Sequence, residues 1–185
     1  MASRQGVLDS LCGVYAVVNA TEIVIGKFVV ASNSNKRKGQ KKALFKSLIN
    51  HLAKNNLLKI ALTEGITEID TRGGLLDIAI KSVKIHQKLK MKKQRAFDED
   101  PETLEQYWEK LTSHLMLDRA SVIIVISGRL EHWTCVKEIT SEVLVLADSS
   151  NIQFIQRQKC TIGQEEKGMY ALWPTMTYLL SIENK

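Results

Sequence analysis

Cysteine is scarce in this chain of 185 residues, with Cys12, Cys135 and Cys160 making up the whole set. Three unpatterned cysteines exclude a disulfide framework and point to a reducing compartment, which leaves a free thiol available for chemistry. Long hydrophobic runs are missing too: none approaches the roughly 18 apolar residues of a membrane helix. The opening MASRQGVLDS lacks the basic-then-apolar pattern of a secretory signal. The expectation is a soluble protein, cytoplasmic as synthesised, without its own cleavable export signal. Delivery into a host or target cell by a non-cleaved signal would read the same way. Two prolines and no low-complexity linker leave nowhere to divide the chain, so residues 1–185 are read as one domain, within the usual size range.

Hydrophobic residues make up 44% and charged residues 25%, which is the balance of a globular protein with a substantial core. The net charge of +6 is uneven, with one basic run over Lys36, Arg37, Lys38, Lys41 and Lys42 and a second stretch from Lys81 to Arg95. Both suit an acidic partner, although charge blocks are more often solvated surface. Aromatic residues are only 6% and neither basic stretch contains one, so there is little stacking surface for single-stranded nucleic acid.

Periodicity predicts helices first and strands second. Residues 11–26 place Leu11, Tyr15, Val18 and Ile25 near helical spacing and end on Gly26, as a buried helix would. Residues 31–39 are rich in Ser, Asn and Lys and read as an exposed loop, followed by an amphipathic helix over 41–55 with Leu44, Leu48 and Leu52 on one face. Gly73 and Gly74 introduce a short helix, and residues 86–97 alternate in the manner of a basic edge strand. Asp100 and Pro101 start a helix that Leu104, Trp108, Leu111 and Leu115 carry to about residue 117. From Ser121 onward, short β-branched and aromatic segments separated by turn residues predict a mainly antiparallel sheet. The fold class is therefore α+β.

Cys12 falls in the first turn of its helix, where backbone N–H groups and the dipole favour a thiolate. Gly13 permits close approach of backbone or substrate, and Gln5 supplies an amide that a short loop could return toward the sulfur. The Cys12 N–H and the Gln5 amide are then two parts of an oxyanion hole.

A thiolate nucleophile needs a base, and His132 is the histidine in a fixed setting. It begins an apolar strand after a Gly-Arg turn and precedes Trp133, which can shield the site from water. His51, His86 and His114 lie on helices or basic surface. Asp148 ends the next strand and can orient the imidazole. If Ile139 pairs with Val143, Thr134 falls opposite Asp148 and His132 lies diagonally beside it, whereas a slip of one residue separates them. Zinc is disfavoured: the H-x-x-C spacing of His132 and Cys135 points the two side chains to opposite faces of a strand, with no second ligand pair. Cys135 and Cys160 read as buried. No cofactor is implied.

The strings Gln5-Gly-Val-Leu-Asp-Ser-Leu-Cys12-Gly-Val-Tyr15, Glu131-His132-Trp133-Thr134 and Leu146-Ala147-Asp148-Ser149 resemble papain-like cysteine peptidases in the order Gln, Cys, His, Asp. The likeness is to their compact bacterial branches, the peptidase domains of bacteriocin exporters and the papain-fold effector proteases and deamidases. It spans roughly three dozen residues in three blocks. The exporter peptidases usually carry Asp directly before the Cys and Pro after the final Asp, whereas here Asp9 is three positions earlier and Ser149 follows.

The resemblance implies a papain-like fold and a protease acting on a protein or peptide through Cys12, His132 and Asp148, with Gln5 at the oxyanion and an effector or toxin role. Gly13 and Trp133 would border the substrate groove. A glutamine deamidase or transglutaminase would use the same triad. The alternative of another class is a non-catalytic module that binds an acidic partner through its basic surface.

Overall fold

The computed structural model describes residues 10–26 and 34–183. Among them are five α-helices and eight strands: α1 (Cys12–Ile25), α2 (Ser34–Lys54), α3 (Leu58–Thr63), α4 (Leu75–Gln87), β1 (Met91–Arg95), α5 (Leu104–Leu115), β2 (Ala120–Gly128), β3 (His132–Ile139), β4 (Val143–Leu146), β5 (Phe154–Gln156), β6 (Cys160–Ile162), β7 (Tyr170–Leu172) and β8 (Tyr178–Ile182). The strands form one sheet in the order β1-β8-β2-β3-β4-β5, with β7 paired to β2 and β6 to β7. Every pairing is antiparallel except β6 with β7. The α+β class and the mainly antiparallel sheet are as the sequence predicts.

α1 is rich in Val and Ile, which are mediocre helix formers. It holds because it is buried nearly all round, with Val14, Val17, Val18, Ala20 and Val24 almost inaccessible. Tertiary packing here overrides local propensity. Gly26 ends the helix at φ 79°, a backbone shape that costs glycine least.

The sheet is covered on both faces. Ile123, Trp133, Cys135, Tyr178 and Leu180 pack with α1, α2 and α4, while Val122, Ile124, Ile126, Val136 and Leu179 pack with Tyr107, Trp108 and Leu111 of α5. That explains the unbroken apolar run of β2, whose neighbours fill alternate sides. Leu44, Leu48 and Leu52 of α2 are buried as their spacing predicts, each worth about 1.5–3 kcal/mol of transfer free energy.

Three expectations are corrected. α2 begins at Ser34, so residues 34–39 are helical rather than loop, and Lys36, Arg37 and Lys38 lie in its opening turns; residues 31–33 fall outside the described residues. The cap of α5 is Thr103, whose side chain accepts the Gln106 N–H, and not the Asp100-Pro101 step. His86 and Gln87 belong to α4, so the basic edge strand begins only at Met91. Part of the second basic stretch is balanced internally, with Lys90 and Lys92 paired to Glu183 and Lys93 to Asp70 and Asp77.

Candidate active site

Cys12 is the first residue of α1 and half-buried. The first intrahelical bond runs from Tyr15 N–H to the Leu11 carbonyl at 3.0 Å, so the N–H groups of Cys12, Gly13 and Val14 have no acceptor within the helix. No acidic residue occupies the first turn, which leaves the positive end of the dipole unopposed by a neighbouring carboxylate on the helix.

His132 is the first residue of β3 and only 6% exposed. Its Nε2 lies 2.6 Å from Asp148 Oδ1, and the Cys12 side chain is close enough to act on the ring, while the Cys12 thiol itself donates to the Ser10 carbonyl at 3.9 Å. With Nε2 committed to Asp148, Nδ1 is the nitrogen left to the sulfur. Burial opposes charge on the imidazole, yet the bonds to Asp148 and Cys12 outweigh it and raise the pKa from 6.5 to about 9.

Asp148 is held on every side. Oδ1 also accepts from the Thr134 hydroxyl at 2.7 Å, and Oδ2 accepts the backbone N–H groups of Ser150 at 2.5 Å and Ile152 at 3.3 Å. Burial pushes this carboxyl up, but the bond and charge of His132, with those of Thr134 and Ser150, bring it below its ordinary value.

The register that brings these groups together depends on a bulge. Near the turn Ile139 pairs with Leu144 and Glu138 with Val145, one step off the expected register, while beyond it Val136 pairs with Leu146 and Ala147 N–H reaches the Cys135 carbonyl. Lys137 is the extra residue, and it and Glu138 are both exposed in succession. Without the bulge Asp148 would stand opposite Cys135 and its side chain would leave the face that holds Thr134 and His132.

A cavity of about 330 Å³ opens over the pair, lined by Cys12, His132, Trp133, Ser127, Ile66 and Trp173 among others. The Trp133 indole N–H donates to the Ile66 carbonyl at 2.6 Å, and its ring stacks near Tyr178. Gly13 does not line this cavity. It is buried beneath it, where an added Cβ would sit 3.2 Å from Ile69 Cγ2 and 3.6 Å from Trp133, so its smallness serves the seating of α1 rather than a substrate groove. Gln5 lies outside the described residues.

The other two thiols are buried, and burial raises both, Cys160 to about 12 and Cys135 further with help from the Asp148 charge.

Two contributors escaped the sequence reading. Asn19, on α1 and 2% exposed, donates to the Ala147 carbonyl at 2.9 Å, tying the helix that carries Cys12 to the residue before Asp148. A polar Asn amid the Val and Ala of the helix's middle turns was the available signal. Thr134 was expected opposite Asp148 but not as a donor to it. The chain matches no family model, no curated protein and no solved structure.

Proposed function

We propose that this protein is a papain-like cysteine hydrolase that cleaves an amide bond in a protein or peptide. The observation that carries the reading is the buried Asp148–His132 pair with Cys12, at a helix N-terminus, beside it on the same cavity, which is large enough to admit a peptide segment. A nucleophilic helix seated on a mainly antiparallel sheet that supplies the base and its orienting carboxylate also supports the papain-like arrangement.

In this mechanism the Cys12 sulfur, its proton held by His132, attacks the substrate carbonyl carbon and the C=O electron pair moves onto oxygen. The Cys12 N–H stabilises that oxyanion, and Gln5 is assigned the second donor. The C–N bond then breaks as His132 gives its proton to the leaving amine, leaving a thioester. Water, deprotonated by His132, attacks the thioester and the C–S bond breaks to release the acid and restore Cys12. Asp148 keeps Nε2–H pointed at itself and balances the imidazolium in both halves.

The test is incubation of the wild type and Cys12→Ser with a proteome-derived peptide library, read by mass spectrometry. New termini in the wild type alone mark a protease, and conversion of glutamine to glutamate without cleavage marks a deamidase. Identical peptide maps for the two proteins, across libraries that sample all residue types, would contradict the proposal.

A further inference from the structure

We infer that the Cys12 cleft selects a substrate carrying a cationic side chain, lysine or arginine, next to the amide under attack. The inference rests on the hydrolase reading, because Cys12 and His132 fix where the ligand's reacting carbonyl must sit. The carboxylates around them decide which charge can come with it.

Glu64 closes α3, Glu131 directly precedes His132, and Glu165 lies between β6 and β7, yet all three line the same cavity as Cys12. Each is exposed, and among the described residues none of them forms an ion pair. The contrast with the rest of the chain is sharp: the protein has 26 Lys and Arg against 20 Asp and Glu, but among the described residues no Lys or Arg lines this cavity. Of the described residues there, His132 is the only basic side chain, and it is already countered by Asp148. A concave wall with several unopposed carboxylates concentrates cations and repels anions.

The apolar lining fits the same ligand by a separate route. The indole N–H of Trp133 is taken by the Ile66 carbonyl, and that of Trp173 by the Ser127 hydroxyl at 2.9 Å. Neither indole therefore offers a donor to an acidic substrate, and the rings contribute apolar and π surface beside Ile66 and Met176. A lysine or arginine side chain uses both features, its methylene stem along the aromatic and thioether surface and its charged head toward the glutamates.

The test uses three peptidyl acyloxymethyl ketones that differ only in the side chain beside the reactive ketone: lysine, norleucine or glutamate. Second-order rates of Cys12 labelling are measured for the wild type and for Glu64→Gln, Glu131→Gln, Glu165→Gln and their triple combination, each normalised to iodoacetamide labelling of the same protein. The expected order is lysine, norleucine, glutamate, with a lysine-to-glutamate ratio on the order of tenfold or more that shrinks at high salt. The ratio should fall in each single variant and approach one in the triple variant.

A wild-type ratio of one or below, or a ratio that the substitutions leave unchanged, would overturn the inference. So would fast iodoacetamide reaction with no labelling by any peptidyl probe. If Cys12 also reacted with iodoacetamide no faster than Cys135 and Cys160, the hydrolase reading itself would fall, and the two failures are thus distinguishable.

Discussion

Asp148→Asn isolates what the carboxylate does while keeping its shape. Oδ2 accepts two backbone N–H groups, from Ser150 and Ile152, while Oδ1 faces His132 Nε2 and the Thr134 hydroxyl. An asparagine has one acceptor oxygen, and leaving two buried N–H donors facing an NH2 group is the costlier choice. The amide therefore turns its oxygen to Ser150 and Ile152 and its nitrogen to His132. Nε2 must then act as acceptor, which moves the neutral ring's proton to Nδ1, so that this nitrogen can no longer accept a proton as the proposed mechanism requires.

The loss of a charge-assisted hydrogen bond, about 1.5–3 kcal/mol, corresponds to a one- to two-decade drop in proton affinity, bringing His132 from about 9 to about 7–8. Nitrogen-15 NMR titration of the imidazole reads both the pKa and the tautomer. A variant in which His132 still titrates near the wild-type value, with its neutral proton on Nε2, would refute the reasoning.

Asn19→Ala should destabilise the fold by about 1–3 kcal/mol, as the Ala147 carbonyl loses a buried donor, and should slow Cys12 alkylation because α1 is no longer pinned to the Asp148 segment; equilibrium urea unfolding together with iodoacetamide kinetics checks both effects. Gly13→Val pushes its side chain into Ile69 and Trp133 and should cost about 1–3 kcal/mol by overpacking, measured by the same unfolding experiment; an unchanged midpoint would remove Gly13 from the packing account.

The raised pKa of His132 also makes stability depend on pH. A group whose pKa is higher folded than unfolded contributes fully below its ordinary 6.5 and loses that contribution as pH rises through about 9. The wild type should accordingly exceed His132→Gln by up to about 3 kcal/mol near pH 6, with the margin shrinking toward about pH 9.5. A margin that stays constant across that range would show that the ion pair is not its source.

Much of this was legible because the signals were local and strong. The Leu44, Leu48 and Leu52 stripe, the Gly26 stop and the β-branched runs of β2 and β3 each specify an element by periodicity or backbone preference alone. The expected neighbourhood of Thr134 and Asp148 arose from a turn in which Ile139 would meet Val143, but Ile139 meets Leu144. The bulge at Lys137 offsets that slip, and bulges have no dependable sequence signature because they answer to the packing on both sides of the strand.

The short α3 and β6 escaped notice because neither carries enough residues for a period to show. The gathering of Glu64, Glu131 and Glu165 was equally hidden. They come from three loops or helix ends, and only the path of the chain brings them to one cavity.

Alkylation by iodoacetamide at neutral pH, with the modified cysteine assigned by mass spectrometry, tests the central claim most directly. Wild type and His132→Ala are compared, with the buried Cys135 and Cys160 as internal references. The account predicts that Cys12 reacts at least about tenfold faster than either reference in the wild type and loses most of that advantage without its imidazole. Equal reactivity of the three thiols, or a Cys12 rate indifferent to His132, would contradict it.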